Sequence, residues 1–102
     1  MVKDRNARYA GIQNDQYYGM TEIGKIIRNA WAFGLIPEGE TCEGWLISGI
    51  EDLWRKVNDR WEEYGFTTQG MPPDVRERYL RIQRDATRKA IALGWTPDME
   101  DD

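Results

Sequence analysis

Apolar residues recur at spacings of three and four along three stretches of the chain, which is the periodicity of amphipathic helices. The first stretch predicts a helix from about Glu22 to Phe33, with Thr21 as its N-cap. The second stretch predicts a helix from about Trp45 to Tyr64, and the third a helix from Pro73 to Leu93. No stretch alternates apolar and polar residues for long enough to predict a strand. The chain is therefore predicted to be all-α.

A glycine between two apolar residues follows each predicted helix, at Gly34, Gly65 and Gly94. Glycine readily adopts the left-handed conformation that closes a helix, and the apolar residue after it can pack on the last turn. Two of these helix ends share the pattern Arg-x-Ala-x-Ala-apolar-Gly-apolar-x-Pro-acid-x-Glu, over residues 28–40 and 88–100. The pattern predicts where helices end, and it matches no functional motif.

The connections between the predicted helices indicate how they are arranged. Consecutive helices joined by modest loops usually pack antiparallel, although residues 34–44 form a longer loop than is usual. We therefore expect an antiparallel three-helix bundle of residues 19–97, after an irregular, partly flexible arm of residues 1–18 and before an acidic tail of residues 98–102. Trp54 is expected on the apolar arc of the second helix. The core stripe of the third helix is expected to comprise Val75, Tyr79, Ile82, Ala86, Ala90 and Leu93.

Charge and composition exclude several classes of function. The chain has 14 basic and 18 acidic residues, a net charge of −4, which disfavours nucleic-acid binding because such binding needs a basic face. It has no histidine, and its one cysteine, Cys42, lies near Glu40 and Glu43, whose charges disfavour a thiolate. We therefore expect neither enzymatic activity nor a cofactor.

The same composition bears on location. A single cysteine leaves no internal disulfide and is typical of a reducing compartment, so we expect a cytoplasmic protein. No apolar run approaches the ~20 residues of a membrane span. Residues 1–6 lead into no apolar stretch of the kind that signal peptides contain.

The third predicted helix carries a second apolar ridge in addition to its core stripe. Leu80 and Ile91 lie about 140–160° from the centre of that stripe, with Thr87 between them and Arg84 and Arg88 beside them. This ridge must be covered by the N-terminal arm, by a second copy of the protein, by a different partner, or be exposed. Exposed apolar patches commonly mark interaction sites. The leading hypothesis is a non-enzymatic protein–protein interaction module: an adaptor, accessory subunit or inhibitor.

An antiparallel bundle would also gather carboxylates at one end, because the first and third helices would point the same way. This acidic pole could dock a basic partner, or it could be an ordinary solvated surface. The spacing of its first three residues does not match a calcium-binding loop, so we expect no metal site. Its members are Glu38, Glu40, Glu43, Asp98, Glu100, Asp101 and Asp102.

Two alternative functions remain open at this stage. One is a ligand- or metal-binding accessory protein that uses the loop of residues 34–45 together with Trp31, Trp45 and Trp95. The other is a weak nucleic-acid binder that uses the basic residues of the third helix. Those residues are Arg78, Arg81, Arg84, Arg88 and Lys89.

Overall fold

The computed structural model describes residues 7–98 and places three α-helices there, so the all-α, three-helix prediction is confirmed. The helices are α1 (Glu22–Ala32), α2 (Ile47–Glu63) and α3 (Pro73–Ala92). A short 3-10 turn over Ile12–Asn14 precedes them. The only extended pairing in this part of the chain is an isolated antiparallel bridge between Arg8 and Leu46. None of the helices between residues 7 and 98 combines the length and hydropathy of a membrane span.

The three helices end in the same way, as the sequence predicts. Gly34, Gly65 and Gly94 all have positive φ, at 73°, 65° and 103°. The apolar residue after each glycine donates its N–H to a carbonyl five residues earlier, over 2.9–3.0 Å. This is the Schellman closure, which satisfies carbonyls that the helix end leaves unpaired. At the two ends that share the longer pattern the acceptors are Ala30 and Ala90, both fully buried. The repeated pattern is therefore accounted for as a folding signal.

The ends of α1 and α2 lie side by side, with α1 packed between α2 and α3. Nη1 of Arg60 donates a 3.1 Å hydrogen bond to the carbonyl of Phe33, and the rings of Phe33 and Trp61 are 5.3 Å apart. Each of these residues lies at the C-terminal end of its helix. The antiparallel order expected from the connections therefore does not describe the α1–α2 pair.

The course of the connection between α1 and α2 explains this difference. Residues 33–46 return along α1, where Nε1 of Trp31 donates a 3.0 Å hydrogen bond to the carbonyl of Glu40. The connection then buries Cys42 completely, in a cluster that also holds Ile27 of α1 and Ile47 at the start of α2. A loop of this length can span α1, so α2 begins beside the first half of α1 rather than beside its end.

By contrast, α3 runs antiparallel to α1. Nε of Arg78, near the start of α3, donates a 2.9 Å hydrogen bond to the carbonyl of Ala32 at the end of α1. Further along α3, Nε2 of Gln83 bonds Oδ1 of Asn29 at 3.3 Å. The expectation that α1 and α3 point the same way, with their C-terminal ends at one end of the bundle, is therefore wrong.

The N-terminal segment belongs to the folded body from residue 7 onwards. Tyr9 and Ile12 are buried in the same cluster as Cys42 and Ile47. Backbone hydrogen bonds of 2.8–3.0 Å join this segment to residues 41–47. The predicted boundary at residue 18 thus separates parts that share one core. Residues 1–6 of the predicted arm and residues 99–102 of the predicted tail lie outside the described residues.

Two residues expected in the core are exposed. Leu93 is 56% and Trp54 50% exposed, whereas Val75, Ile82 and Ala90 of the predicted α3 stripe are buried. α3 has 20 residues and α1 only 11, so the end of α3 extends beyond the helix it packs on. Hydrophobic periodicity identifies which side of a helix is buried, but it does not show over what length the neighbouring helix covers that side.

Candidate functional site

The second apolar ridge of α3 is exposed to solvent in the single chain, which is one of the alternatives that the sequence left open. Leu80 is 50% and Ile91 53% exposed, on the side of α3 away from its buried stripe. Ile91 lies eleven positions after Leu80, so the two residues are about 16 Å apart along the helix. We call this surface the outer face; it comprises Leu80, Arg84, Thr87, Arg88 and Ile91.

The N-terminal segment contacts another side of α3. The ring of Tyr18 lies 3.9 Å below Nζ of Lys89. Lys89 is about 160° around the helix from Ile91, since successive residues are about 100° apart. Residues 7–18 therefore do not cover the outer face, and nothing else between residues 7 and 98 buries Leu80 or Ile91.

The outer face is positively charged. Nε of Arg84 lies 4.0 Å from a carboxylate oxygen of Asp85, and both side chains are 57% exposed, so this pair is loose and solvated. Arg88 is exposed and has no carboxylate partner among the described residues. Two guanidinium groups thus lie beside two aliphatic side chains, with Thr87 as the only other member.

Arg78, Arg81 and Lys89, the other members of the predicted basic set, contact other parts of the fold. Arg78 bonds the end of α1, as described above. The guanidinium of Arg81 holds the carboxylate of Glu38 with two hydrogen bonds of 2.8 Å, and these bonds keep the pKa of Glu38 below its usual range. Only Arg84 and Arg88 of the predicted basic set therefore remain on the outer face.

A small cavity lies between α3, α1 and the residues before α1. Its volume is about 100 Å³, and its lining includes Tyr18, Arg28, Trp31, Glu38, Arg81 and Lys89. With Asp85 it carries three cationic and two anionic side chains, alongside apolar ones. Of the three tryptophans expected at a ligand site, only Trp31 lines it. The contact between Glu38 and Arg81, 43 residues apart, has no local signature in the sequence.

The three loop carboxylates of the predicted acidic pole form hydrogen bonds with other parts of the chain. Glu40 accepts a 3.1 Å hydrogen bond from the backbone N–H of Cys42, and Glu43 accepts one of 2.6 Å from Gln13. Because Arg81 binds Glu38, each of the three carboxylates of this loop has a hydrogen-bond partner. Asp98 is exposed beyond α3. The remaining members, Glu100, Asp101 and Asp102, lie outside the described residues.

Cys42 lies in an environment that suppresses thiolate formation. Burial, reinforced by the charge of Glu40, raises the pKa of its thiol to about 11. A reactive cysteine requires the opposite shift. Nor do any three cysteine, aspartate or glutamate side chains between residues 7 and 98 come together in a way that could hold a metal ion.

Comparison with known proteins adds no family to this description. No protein-family model, curated protein or solved structure matches the chain. The functional argument therefore rests on the chemistry of the outer face and of the cavity.

Proposed function

We propose that this chain is a small, non-enzymatic interaction module (an adaptor, accessory subunit or inhibitor) that binds a protein partner through the outer face of α3. The observation that supports the proposal is the half-exposure of Leu80 and Ile91, on a helix whose opposite side is already buried. Covering the exposed halves of two such side chains would contribute about 1 kcal/mol each. The face also carries two arginines, and arginine is enriched at such interfaces.

The proposal requires that the two aliphatic residues are dispensable for folding. The inner side of α3 is completed by Val75, Ile82 and Ala90 without them. The double variant Leu80→Asp with Ile91→Asp should therefore keep its helical circular dichroism and a cooperative thermal transition. Ile82→Asp is the matched control from the buried side, and it should unfold the chain because it buries an unpaired charge.

The functional test compares the wild type with the double variant as bait in an extract of the native cell, beside light scattering on the pure proteins. The folded double variant should lose the specific partner that the wild type retains. Asn58→Asp, on the exposed side of α2, should leave that partner bound. An unfolded double variant, or a folded one that captures the same proteins, would refute the proposal.

A second candidate function is the binding of a small ligand in the cavity, which Trp31 and Glu38 both line. A volume of about 100 Å³ and a surplus of cationic side chains suit a short carboxylate or a phosphate ion. Titration with acetate or with inorganic phosphate should then change the tryptophan fluorescence saturably, and Trp31→Phe should remove the change. An emission spectrum that neither of these ions alters would reject this function.

A further inference from the structure

We propose that the partner of the outer face is an acidic amphipathic helix rather than a second copy of this chain; the inference rests on the function proposed above. It follows from the order of side chains along the face. Two arginines lie between Leu80 and Ile91, and the five residues of the face include no carboxylate. A second copy would bring the same charges to the interface, and an acidic helix would bring opposite ones.

The geometry of a two-fold dimer makes the conflict specific. In an antiparallel pair of α3 helices, Leu80 would face Ile91 of the second copy, because a two-fold interface pairs the same patch with itself. The same register would set Arg84 opposite Arg88 of the second copy, within about 2 Å along the helix axis. This happens twice, so four guanidinium groups would line one edge of the interface. Juxtaposed like charges oppose association.

An acidic helix resolves that conflict. It would place apolar side chains about 16 Å apart, three turns along its length, against Leu80 and Ile91. Aspartate or glutamate residues between them would meet Arg84 and Arg88. Pairs of arginine and carboxylate form charge-assisted, bidentate hydrogen bonds, which fix the register as well as adding affinity. The loose contact between Arg84 and Asp85 leaves that guanidinium available.

One test uses the chain alone. Arg84→Glu would place a carboxylate opposite Arg88 of the second copy. The two-fold axis repeats this pair, so two attractive pairs would form and the face would become complementary to itself. We expect light scattering to show a monomeric wild type and a dimeric Arg84→Glu variant. Arg84→Glu with Arg88→Glu should be monomeric again, because like charges then meet once more. A wild type that dimerises, and that Leu80→Asp with Ile91→Asp returns to monomers, would overturn the acidic-helix inference and leave the proposed function standing.

The second test uses a designed peptide of about 18 residues, long enough for five helical turns. It carries leucines on one side, three turns apart, with glutamates between them, and its matched control carries lysines instead. Fluorescence polarisation should show saturable binding of the acidic peptide, about tenfold or more tighter than that of the basic one. Arg84→Glu with Arg88→Glu should reverse the preference, and Leu80→Asp with Ile91→Asp should abolish binding of both peptides.

Other outcomes of these tests would distinguish a failure of the acidic-helix inference from a failure of the proposed function. Equal binding of both peptides, or binding that Leu80→Asp with Ile91→Asp leaves unchanged, would overturn the inference, because binding would then not depend on both the charges and the apolar residues of the face. Binding of duplex RNA that is lost on replacing the arginines, but not on replacing Leu80 and Ile91, would identify a phosphate-binding surface. That result would overturn both this inference and the proposed function.

Discussion

The hydroxyl of Tyr9 donates a 2.6 Å hydrogen bond to Oδ2 of Asp15, and the hydroxyl of Thr21 donates to the same oxygen at 2.6 Å. Oγ1 of Thr21 in turn accepts the backbone N–H of Gly24 at 3.1 Å and so caps α1. Burial, together with the bond to Asp15, raises the pKa of Tyr9 well above its usual range, which keeps the phenol protonated as a donor. Asp15 therefore couples the N-terminal segment to the start of α1.

The first prediction concerns this carboxylate. Asp15→Ala removes the shared acceptor of Tyr9 and Thr21 and should lower the free energy of unfolding by about 2–4 kcal/mol, since hydrogen bonds to a charged group are the stronger kind. Urea denaturation measures the change. The matched control is Asp52→Ala, whose carboxylate forms an exposed pair with Arg55 and should matter by less than about 0.5 kcal/mol. Equal effects of the two substitutions would contradict the role assigned to Asp15.

The second prediction separates two glycines that lie within helices. A methyl group on Gly24 would come within 1.9 Å of the backbone carbonyl oxygen of Gly19, whereas one on Gly49 would meet nothing within 4 Å. Alanine favours a helix by up to about 1 kcal/mol over glycine at both positions. We expect Gly49→Ala to raise the melting temperature. Gly24→Ala should lower the free energy of unfolding by about 1–3 kcal/mol, because the overlap with Gly19 forces the backbone apart.

Thermal denaturation of the two variants beside the wild type tests this contrast. A stabilised Gly24→Ala variant would show that the segment before α1 does not approach the helix as described. The sequence marks Gly24 as a weak point in an otherwise good helix, where another helix could approach closely. The structure places the backbone of Gly19 there instead, and Gly19 lies outside the three helices.

Local signals account for the parts of the fold that the sequence predicts correctly. The cap at Thr21 and the closures at Gly34, Gly65 and Gly94 depend on residues within one turn of each helix end. Hydrophobic periodicity likewise identifies the outer face, since Leu80 and Ile91 fall away from the buried stripe whatever α3 packs against. The position of these two residues on the side of α3 away from its buried stripe was therefore predictable from the sequence.

The direction of α2 depends on contacts between distant residues, which no local pattern encodes. The connection after α1 turns back because Cys42 enters a core formed partly by Tyr9 and Ile12, from a segment without helical or strand periodicity. The antiparallel expectation used loop length alone, and a loop of this length permits either direction. The Glu38–Arg81 pair and the cavity beside it follow from that return path, so the sequence could not reveal them.

The third prediction concerns the thiol of Cys42. The side chain is fully buried and its pKa is raised to about 11, so very little thiolate exists near pH 8. Reaction with a disulfide reagent should be slower than that of a free cysteine by about a hundredfold or more, since the thiolate is the reactive form. In concentrated urea the rate should return to that of a free thiol. Rapid labelling of the folded protein would contradict the buried position of this loop.

The last prediction tests the pair of Glu38 and Arg81 through its pH dependence. The hydrogen bonds from Arg81 depress the pKa of Glu38 in the folded state. A carboxylate of this kind stabilises the fold at pH values above its pKa in the unfolded chain, and the contribution disappears as the pH falls through the folded-state pKa. Glu38→Gln should therefore melt at a lower temperature than the wild type near neutral pH, and the gap between them should close in acid.

The gap should be small and should shrink in high salt, because the two side chains are 42% and 44% exposed and water screens the pair. Glu62→Gln serves as the control, since Glu62 is exposed and has no basic partner within the described residues. Its melting temperature should follow that of the wild type across the same pH range. A difference in melting temperature between Glu38→Gln and the wild type that persists below the folded-state pKa of Glu38 would contradict this prediction. The glutamine would then act through packing of the loop. The ion pair with α3 would contribute nothing to holding residues 33–46 along α1.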